Sequence, residues 1–587
     1  MKSLALAGLL GVAWLDCLGA ANRYAQHNLV SDLKGLADRM DPGLVNPWGL
    51  VASPTSPFWI SDNGAGLSTL YNGSGVPVAL KVAIPAPEGP VGAATGIVFN
   101  GTTSFNVAPG KPAAFLFATE DGTIVGWNPQ VDQTHGVILV DHSSSGAVYK
   151  GLAMATRSEG PLLYAANFNS GAIDVFDGNL NPVNLAGGFR DAAIPAGFAP
   201  FNVQNLGGTL YVTYAKQDNA KHDDLAGPGN GYVDAYDLNG LLLQRLVAGG
   251  SLNSPWGLAI APAGFGDFAG ALLVGNFGNG AINAYDATTG NLLGQLQDVK
   301  GNPLRILGLW GLTFGNGSGS GDINTLYFAA GVPGPDGPLE SHGLFGSIQA
   351  APAIGLNAVL NAASFQAGLT PGGFGSIFGL NLSTTTRTWS STDFVNGMLP
   401  AALDGVSVTV DGKPAYVYFV SPRQINFIAP ADSAQGAVPA VVTNNGLDSA
   451  PMTAQLRPFA PAFFVFQNSK YVIATHADGT LIGPATPLPH LTTPAHAGET
   501  IVVYGTGFGP TNPPSDGLVL AAPVPAATQP VVMVGGSPAQ VKFAGLTSAG
   551  LYQLNIQLPD ALPPGDAIIV AQAGDGKTQT NLLIPVE

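Results

Sequence analysis

Between Trp48 and Ile348 the apolar positions fall in short runs separated by Gly, Asn and Asp, and one order of runs keeps returning. A Trp-Gly-Leu-like opening leads into a short apolar strand, a second strand ends in a polar turn, and a third strand carries an aromatic residue. The third residues of the openings are Leu50, Ile97, Leu152, Val203, Leu258 and Leu312, at intervals of 47, 55, 51, 55 and 54 residues. Apolar runs this short, bounded by turn formers, predict strands. A strand-only unit that repeats at about fifty residues predicts propeller blades, six of them between residues 22 and 350.

The first unit shows the pattern: Phe58-Trp59-Ile60-Ser61, the turn Asp62-Asn63-Gly64-Ala65-Gly66, then Ser68-Thr69-Leu70-Tyr71. The fifth nearly copies the third, with Asn276 standing 109 residues after Asn167, which points to duplication of one unit. Each blade needs a fourth, outer strand, and segments such as Val78 to Ile84 and Leu241 to Val247 occupy that place. The sixth unit stops one strand short. Residues 24–32 precede the first unit as the other outer strands precede theirs, so the amino-terminal segment is expected to close the ring and remove a free sheet edge.

Past Ile348 the period ends. Alternating runs such as Val406 to Val410 and Ile501 to Tyr504, at short spacing between Gly and Pro turns, predict sandwich strands. Asp411-Gly412-Lys413-Pro414 aligns with Gly535-Gly536-Ser537-Pro538, and Gln424-Ile425-Asn426-Phe427 with Gln553-Leu554-Asn555-Ile556. The expected fold is therefore all-β: a six-bladed β-propeller over residues 22–350, then two immunoglobulin-like β-sandwich modules over residues 351–458 and 459–587.

Composition narrows the function classes. At 587 residues the chain exceeds one hydrophobic core, and Gly 80 with Pro 47 fits a turn-dense globule. A formal charge of -16 would repel a phosphate backbone, so nucleic acid is excluded as a partner. Only 10% of residues are charged, which leaves a surface of Ser, Thr, Asn, Gln and Gly. Lys2, the apolar stretch from Leu4 to Leu15 and the small residues Gly19, Ala20 and Ala21 predict a signal peptide over residues 1–21, despite an ill-placed Asp16. Cleavage would remove the lone Cys17 and leave a mature chain with neither disulfide nor thiolate metal site. No later apolar run is long enough for a membrane helix. The expected location is outside the cytoplasm: extracellular, cell surface or periplasm.

A family resemblance rests on particular residues. Asn46-Pro47-Trp48-Gly49-Leu50, Ser61-Asp62-Asn63-Gly64 and His222-Asp223-Asp224 resemble an uncharacterised family of exported bacterial propellers related in shape to NHL repeats. Asn361-Ala362-Ala363-Ser364-Phe365, His476-Ala477-Asp478-Gly479 and Gly498-Glu499-Thr500 resemble the Solibacter-type uncharacterised C-terminal domain, whose second half is similar to IPT/TIG sandwiches. The resemblance implies architecture and export, and no chemistry. Propellers of similar shape include gluconolactonase-like ones, which hold an axial metal, and streptogramin-lyase-like ones, which use histidine. The metal-holding Glu/Asn/Asp set is not found here residue by residue.

In such a ring the turns between second and third strands, with the inner-strand openings, gather around the tunnel mouth, the default ligand site. The candidate ligand-binding residues there are Asp62, Asn63, Asp121 beside Glu120, Asn167, Lys216 and Asn276. Two long inserts, from Lys216 to Asn230 and from Val332 to His342, are the sharper signal, since long loops in compact folds are usually functional. Asp218, Asp223 and Asp224 in the first are candidate metal ligands, with calcium the ion that such oxygens suit, although EF-hand spacing is lacking. His222 and His342, one in each insert beside Asp336 and Glu340, are the candidate acid and base. The plainer reading competes throughout: Asn and Asp before Gly form turns, and loop histidines are often only solvated. Trp48, Trp256 and Trp310 are expected to wedge between blades rather than stack on a sugar. Lys413 and Arg423 read as solvated surface. No hydrolase elbow or phosphate loop is present. The preferred expectation is an exported, non-catalytic protein that binds an unknown extracellular small molecule, glycan or protein. The alternative is a propeller enzyme, either a metal-dependent lactonase-like hydrolase or a histidine-using lyase.

Overall fold

The computed structural model describes residues 23–335, 337–484 and 492–587. The signal peptide expected over residues 1–21, with Cys17, and the candidate Asp336 lie outside these residues. The described chain is all-β, joined by turns and short 3-10 segments, with no α-helix. No helix among the described residues is long and apolar enough to cross a membrane. Two compact units divide after Ala350.

In the first unit, residues 23–350, antiparallel sheets follow one another along the chain. The first contains Pro47–Val51, Phe58–Asp62, Leu67–Tyr71 and Val82–Ala83. The second contains Ala94–Phe99, Phe115–Thr119, Thr123–Trp127 and Val137–Asp141. The third has Tyr149–Arg157, Gly160–Asn167 and Ala172–Asp177; the fourth Phe198–Leu206, Thr209–Lys216, Tyr232–Tyr236 and Leu242–Ala248. The fifth has Pro255–Ile260, Leu272–Asn276, Ile282–Tyr285 and Leu292–Gln295. The third therefore lacks the outer strand expected of it. Phe176 makes an isolated bridge to Pro182 and Val183 N donates to Val175 O at 2.8 Å, but no paired strand follows.

A closing sheet joins both ends of the unit. Leu309–Phe314, Leu326–Ala330 and Leu344–Ala351 are followed in its hydrogen-bonded order by Arg23–Ser31 and the short strand Arg39–Met40. The sheets bury their faces on one another. Trp59 and Leu70 of the first share a core with Ile97, Phe115 and Phe117 of the second, while Phe58, Ile60 and Tyr71 on the other face pack with Leu29, Val30, Tyr327 and Phe345 of the closing sheet. Each such side chain contributes about 2 kcal/mol on burial.

The innermost strands approach too closely for side chains. A Cβ on Gly49 would lie 2.6 Å from the Thr95 carbonyl oxygen, one on Gly257 2.5 Å from that of Trp310, and one on Gly311 2.5 Å from that of Trp48. Gly96 meets Leu152 and Gly151 meets Asn202 in the same way. In the fourth sheet Asn202 stands where the others have glycine, and its Nδ2 donates to the Trp256 carbonyl at 2.8 Å. The contacts thus run from the first sheet to the second, third, fourth, fifth and closing sheets and back to the first.

The second unit, residues 351–587, holds two cores. One contains Val406, Val408 and Val410, buried between the outward-facing Ser407 and Thr409 as strand alternation requires, with Ile377, Val417 and Phe427. The other gathers Ile501, Val503, Leu554, Ile556, Ile569 and Ile584. An aromatic cluster with Phe374, Tyr418 and Phe464 lies beside them, where Phe374 N donates to Thr506 Oγ1 at 2.8 Å.

Candidate functional site

The residues that precede the close-packed inner positions are Trp48, Thr95, Lys150, Phe201, Trp256 and Trp310. Trp48 stacks on Trp310 with ring centroids 3.5 Å apart, Trp256 meets both edge-on at 6.0 Å, and Phe277 stacks on Trp310 at 4.0 Å. With Phe168 and Phe201 they form one buried axial cluster. The expectation that the tryptophans wedge between blades is corrected: they plug the centre, because the glycine contacts bring all the inner strands together there. The plug also removes them from any sugar, since each is almost wholly buried.

Lys150 is the one charged member of this column. Its side chain is 2% exposed, and its Nζ lies 5.0 Å from the centre of the Trp48 ring and 5.9 Å from that of Phe168. The ammonium pairs with Glu120, from the turn of the second sheet, and with Asp223 at 3.2 Å, from the first insert. Burial alone would lower its pKa; the two carboxylates outweigh that and hold it above the ordinary lysine value. Glu120 Oε2 accepts from Asn63 Nδ2 at 2.8 Å, and Asn63 Oδ1 accepts from Asn46 Nδ2 at 3.3 Å. Asn46 Nδ2 also donates to Glu340 Oε2 at 3.0 Å, while its Oδ1 accepts the Trp310 indole N–H at 3.1 Å. The network therefore crosses the mouth from the fourth sheet to the closing one.

Acid groups around this network are displaced from their ordinary values. Burial pushes the Glu340 carboxyl up to about 7, with the Glu120 and Asp224 charges adding and the Asn46 hydrogen bond and Lys150 opposing. Asp224 is likewise raised by burial. Asp223 behaves oppositely: burial raises it, but Lys150 and His222 together carry it below the usual carboxylate range.

The sequence candidates scatter around this centre. Asn63 and Asp223 belong to the network. Asp62, expected to face a ligand, is instead fully buried on the face that Phe58 and Ile60 share. Asn276 is also fully buried, and its Oδ1 accepts from Asn253 N at 2.8 Å; Asn167 closes its own turn on Asp174 and Ser170. Both amides hold local backbone turns. Asp121 accepts the Ala93 amide at 2.7 Å, and Lys216 is exposed at the end of its strand. Asp218 turns inward to accept the amides of His222 at 2.9 Å and Asp223 at 3.3 Å, which organises the insert. His342 Nδ1 lies 2.7 Å from Asp32 Oδ2, and among the described residues no hydrogen bond or ion pair joins it to His222.

Glu120, His222 and Asp223 present ligand atoms within 4.8 Å of one another. This donor set fits a divalent ion poorly, because the Lys150 ammonium already lies against both carboxylates and would oppose a second cation. Asp218, bound to backbone amides, and Asp224, raised in pKa by burial, stand apart from it. Sequence reasoning missed Lys150. Its signal was its column: Lys150-Gly151-Leu152 aligns with Trp48-Gly49-Leu50, and a charge there demands partners.

An all-β ring of antiparallel sheets with an aromatic plug and a polar mouth defines a propeller-like protein. Over 338 residues the chain is 34% identical to an uncharacterised protein of Acanthamoeba polyphaga mimivirus, covering 56% of this chain and 81% of that protein. A second uncharacterised protein of the same virus is 34% identical over 312 residues, covering 51% of this chain and 80% of its own. The chain belongs to the family of these mimivirus proteins. No protein-family model matches it. Both findings overturn the resemblance to an exported bacterial propeller family with a Solibacter-type C-terminal domain, since these relatives are viral. Among solved structures, virginiamycin B lyase from Staphylococcus aureus is 13% identical at a TM-score of 0.30, covering 56% of this chain and 99% of that one. A Bacteroides thetaiotaomicron protein of unknown function is 9% identical at 0.36, covering 56% and 76%. At those values neither likeness bears on activity.

Proposed function

We propose that this chain is a non-catalytic binding protein: a six-bladed propeller that offers its polar mouth to a ligand, carried with two immunoglobulin-like spacer modules over residues 351–458 and 459–587. The observation that carries this reading is the hydrogen-bonded set Asn46, Asn63, Glu120, Lys150, Asp223 and Glu340, drawn from both inserts and from turns of separate sheets onto one axis. The cyclic run of inner-strand contacts supports six blades, and the two separate β-cores support two modules. The Lys150 ammonium is held by two carboxylates, and among the described residues no hydrogen bond or ion pair joins His222, beside Asp223, to His342, beside Asp32. Export through the leader at residues 1–21 is part of the proposal, and a recovered amino terminus at Ala21 or Asn22 would support it.

Thermal melts against neutral oligosaccharides, polyamines and calcium chloride test the reading. It expects one class to raise the melting temperature of the wild type and not of Asp223→Asn. An enzyme acting at the same mouth is the second reading, favoured by Glu340, whose carboxyl titrates near neutrality as a general base should. Turnover of a simple lactone that disappears in Glu340→Gln would establish that second reading and sink the first.

A further inference from the structure

Asp62 is the one candidate that the mouth leaves unexplained. Its side chain is fully buried; Oδ2 accepts the Thr69 amide at 2.9 Å, while neither Oδ1 nor the neighbouring Thr69 hydroxyl has a hydrogen-bond partner. It sits on the face of the first sheet that packs against Arg23–Ser31 and the rest of the closing sheet. The charged and titratable groups turned toward it are Asp41, Tyr71 and Lys81. Those three are already committed to one another. Asp41 accepts from Lys81 Nζ at 2.6 Å, from the Tyr71 hydroxyl at 2.9 Å and from Gly43 N at 2.8 Å, and its own amide donates to Ser31 O at 2.9 Å. Asp41 therefore ties the exit of the amino-terminal strand to the first sheet.

An ionised Asp62 would have no cation of its own in this joint. Among the described residues the ammonium turned toward it is that of Lys81, which is engaged by Asp41 and reaches toward solvent. A second negative charge would be buried close to Asp41, which is the arrangement that buried carboxyls avoid by keeping their proton. We propose that the joint where the amino-terminal strand closes the ring is a proton-sensitive clasp, shut while Asp62 is uncharged and loosened when it ionises. Burial holds this carboxyl well above its usual range of titration, with the Asp41 charge adding and Thr69 and the Lys81 charge opposing. The folded protein keeps a proton that the unfolded chain releases above about pH 3.8, so stability from this source is full below that pH and declines as pH rises toward the folded value.

The test compares wild type with Asp62→Asn and Asp62→Ser, the second leaving room for water should the amide pack badly. Unfolding in denaturant is followed from pH 4.5 to 6.5, together with amide exchange of residues 23–31 corrected for its intrinsic pH dependence. The wild-type unfolding constant should rise more steeply with pH than that of either variant, by up to about tenfold per pH unit, the limit set by one extra bound proton. The opening constant of the amino-terminal strand should show the same difference. Parallel pH slopes in wild type and both folded variants would overturn the proposal. So would a difference seen in global unfolding but missing from the exchange of residues 23–31, because the proton would then not act at the joint.

Discussion

Lys150→Met removes the charge at the centre of the mouth and keeps most of the side-chain volume that packs on Trp48 and Phe168. What remains is Glu120, with 13% of its side chain exposed, holding the Asn63 amide but no counter-charge. Breaking one side of a buried pair in this way costs about 3 kcal/mol. Asp223 adds little to that figure, because its side chain is 68% exposed and such pairs contribute under about 1 kcal/mol. Denaturant unfolding followed by tryptophan fluorescence is the natural assay. Trp48, Trp59, Trp127, Trp256 and Trp310 all lie in the ring, with Trp389 in the second unit, so the signal reports mainly on residues 23–350. The double variant Lys150→Met with Glu120→Gln should regain about 2 kcal/mol, since the lone buried charge is then gone. A single variant within about 0.5 kcal/mol of wild type, or a double variant no better than the single, would refute the account of Lys150 as a clamped buried cation.

Three further outcomes follow from the geometry. Gly257→Ala places a Cβ against the Trp310 carbonyl and should reduce stability by about 3 kcal/mol or prevent folding, whereas Gly89→Ala, which meets open space, should change it by less than about 0.5 kcal/mol. Asp218→Ala should loosen the first insert by about 1 kcal/mol and speed proteolysis between residues 216 and 230, because two backbone amides lose their acceptor. Glu340 has its folded value raised from 4.5 to about 7, so its stabilising proton is fully held below pH 4.5 and released as pH climbs to 7. Relative to Glu340→Gln, the wild type should therefore lose up to about 3 kcal/mol between pH 4 and 8 in denaturant titrations.

The repeat was legible because strands close-packed at an axis need small residues at fixed places, and those places recur as Gly49, Gly96, Gly151, Gly257 and Gly311. Alternation along Val406 to Val410 was equally direct, since a half-buried strand must expose every second residue. Asp62 misled because it stands before Asn63-Gly64 and looks like turn chemistry. Its parity with Phe58 and Ile60 was the better guide, and it points inward. The polar network was hidden for another reason. Asn46 and Glu340 are 294 residues apart, and Lys150 and Asp223 are 73, so only the closed ring brings them together.

Asn202 has a consequence of its own. A ring grown by copying one unit could in principle assemble out of step, with each copy sitting in a neighbour's seat. The amide that replaces glycine at this single place, reaching the Trp256 carbonyl on one side and filling the space beside Gly151 on the other, acts as an index tooth. Chimeras that set Asn202 beside anything larger than glycine at position 151 should therefore fail to assemble.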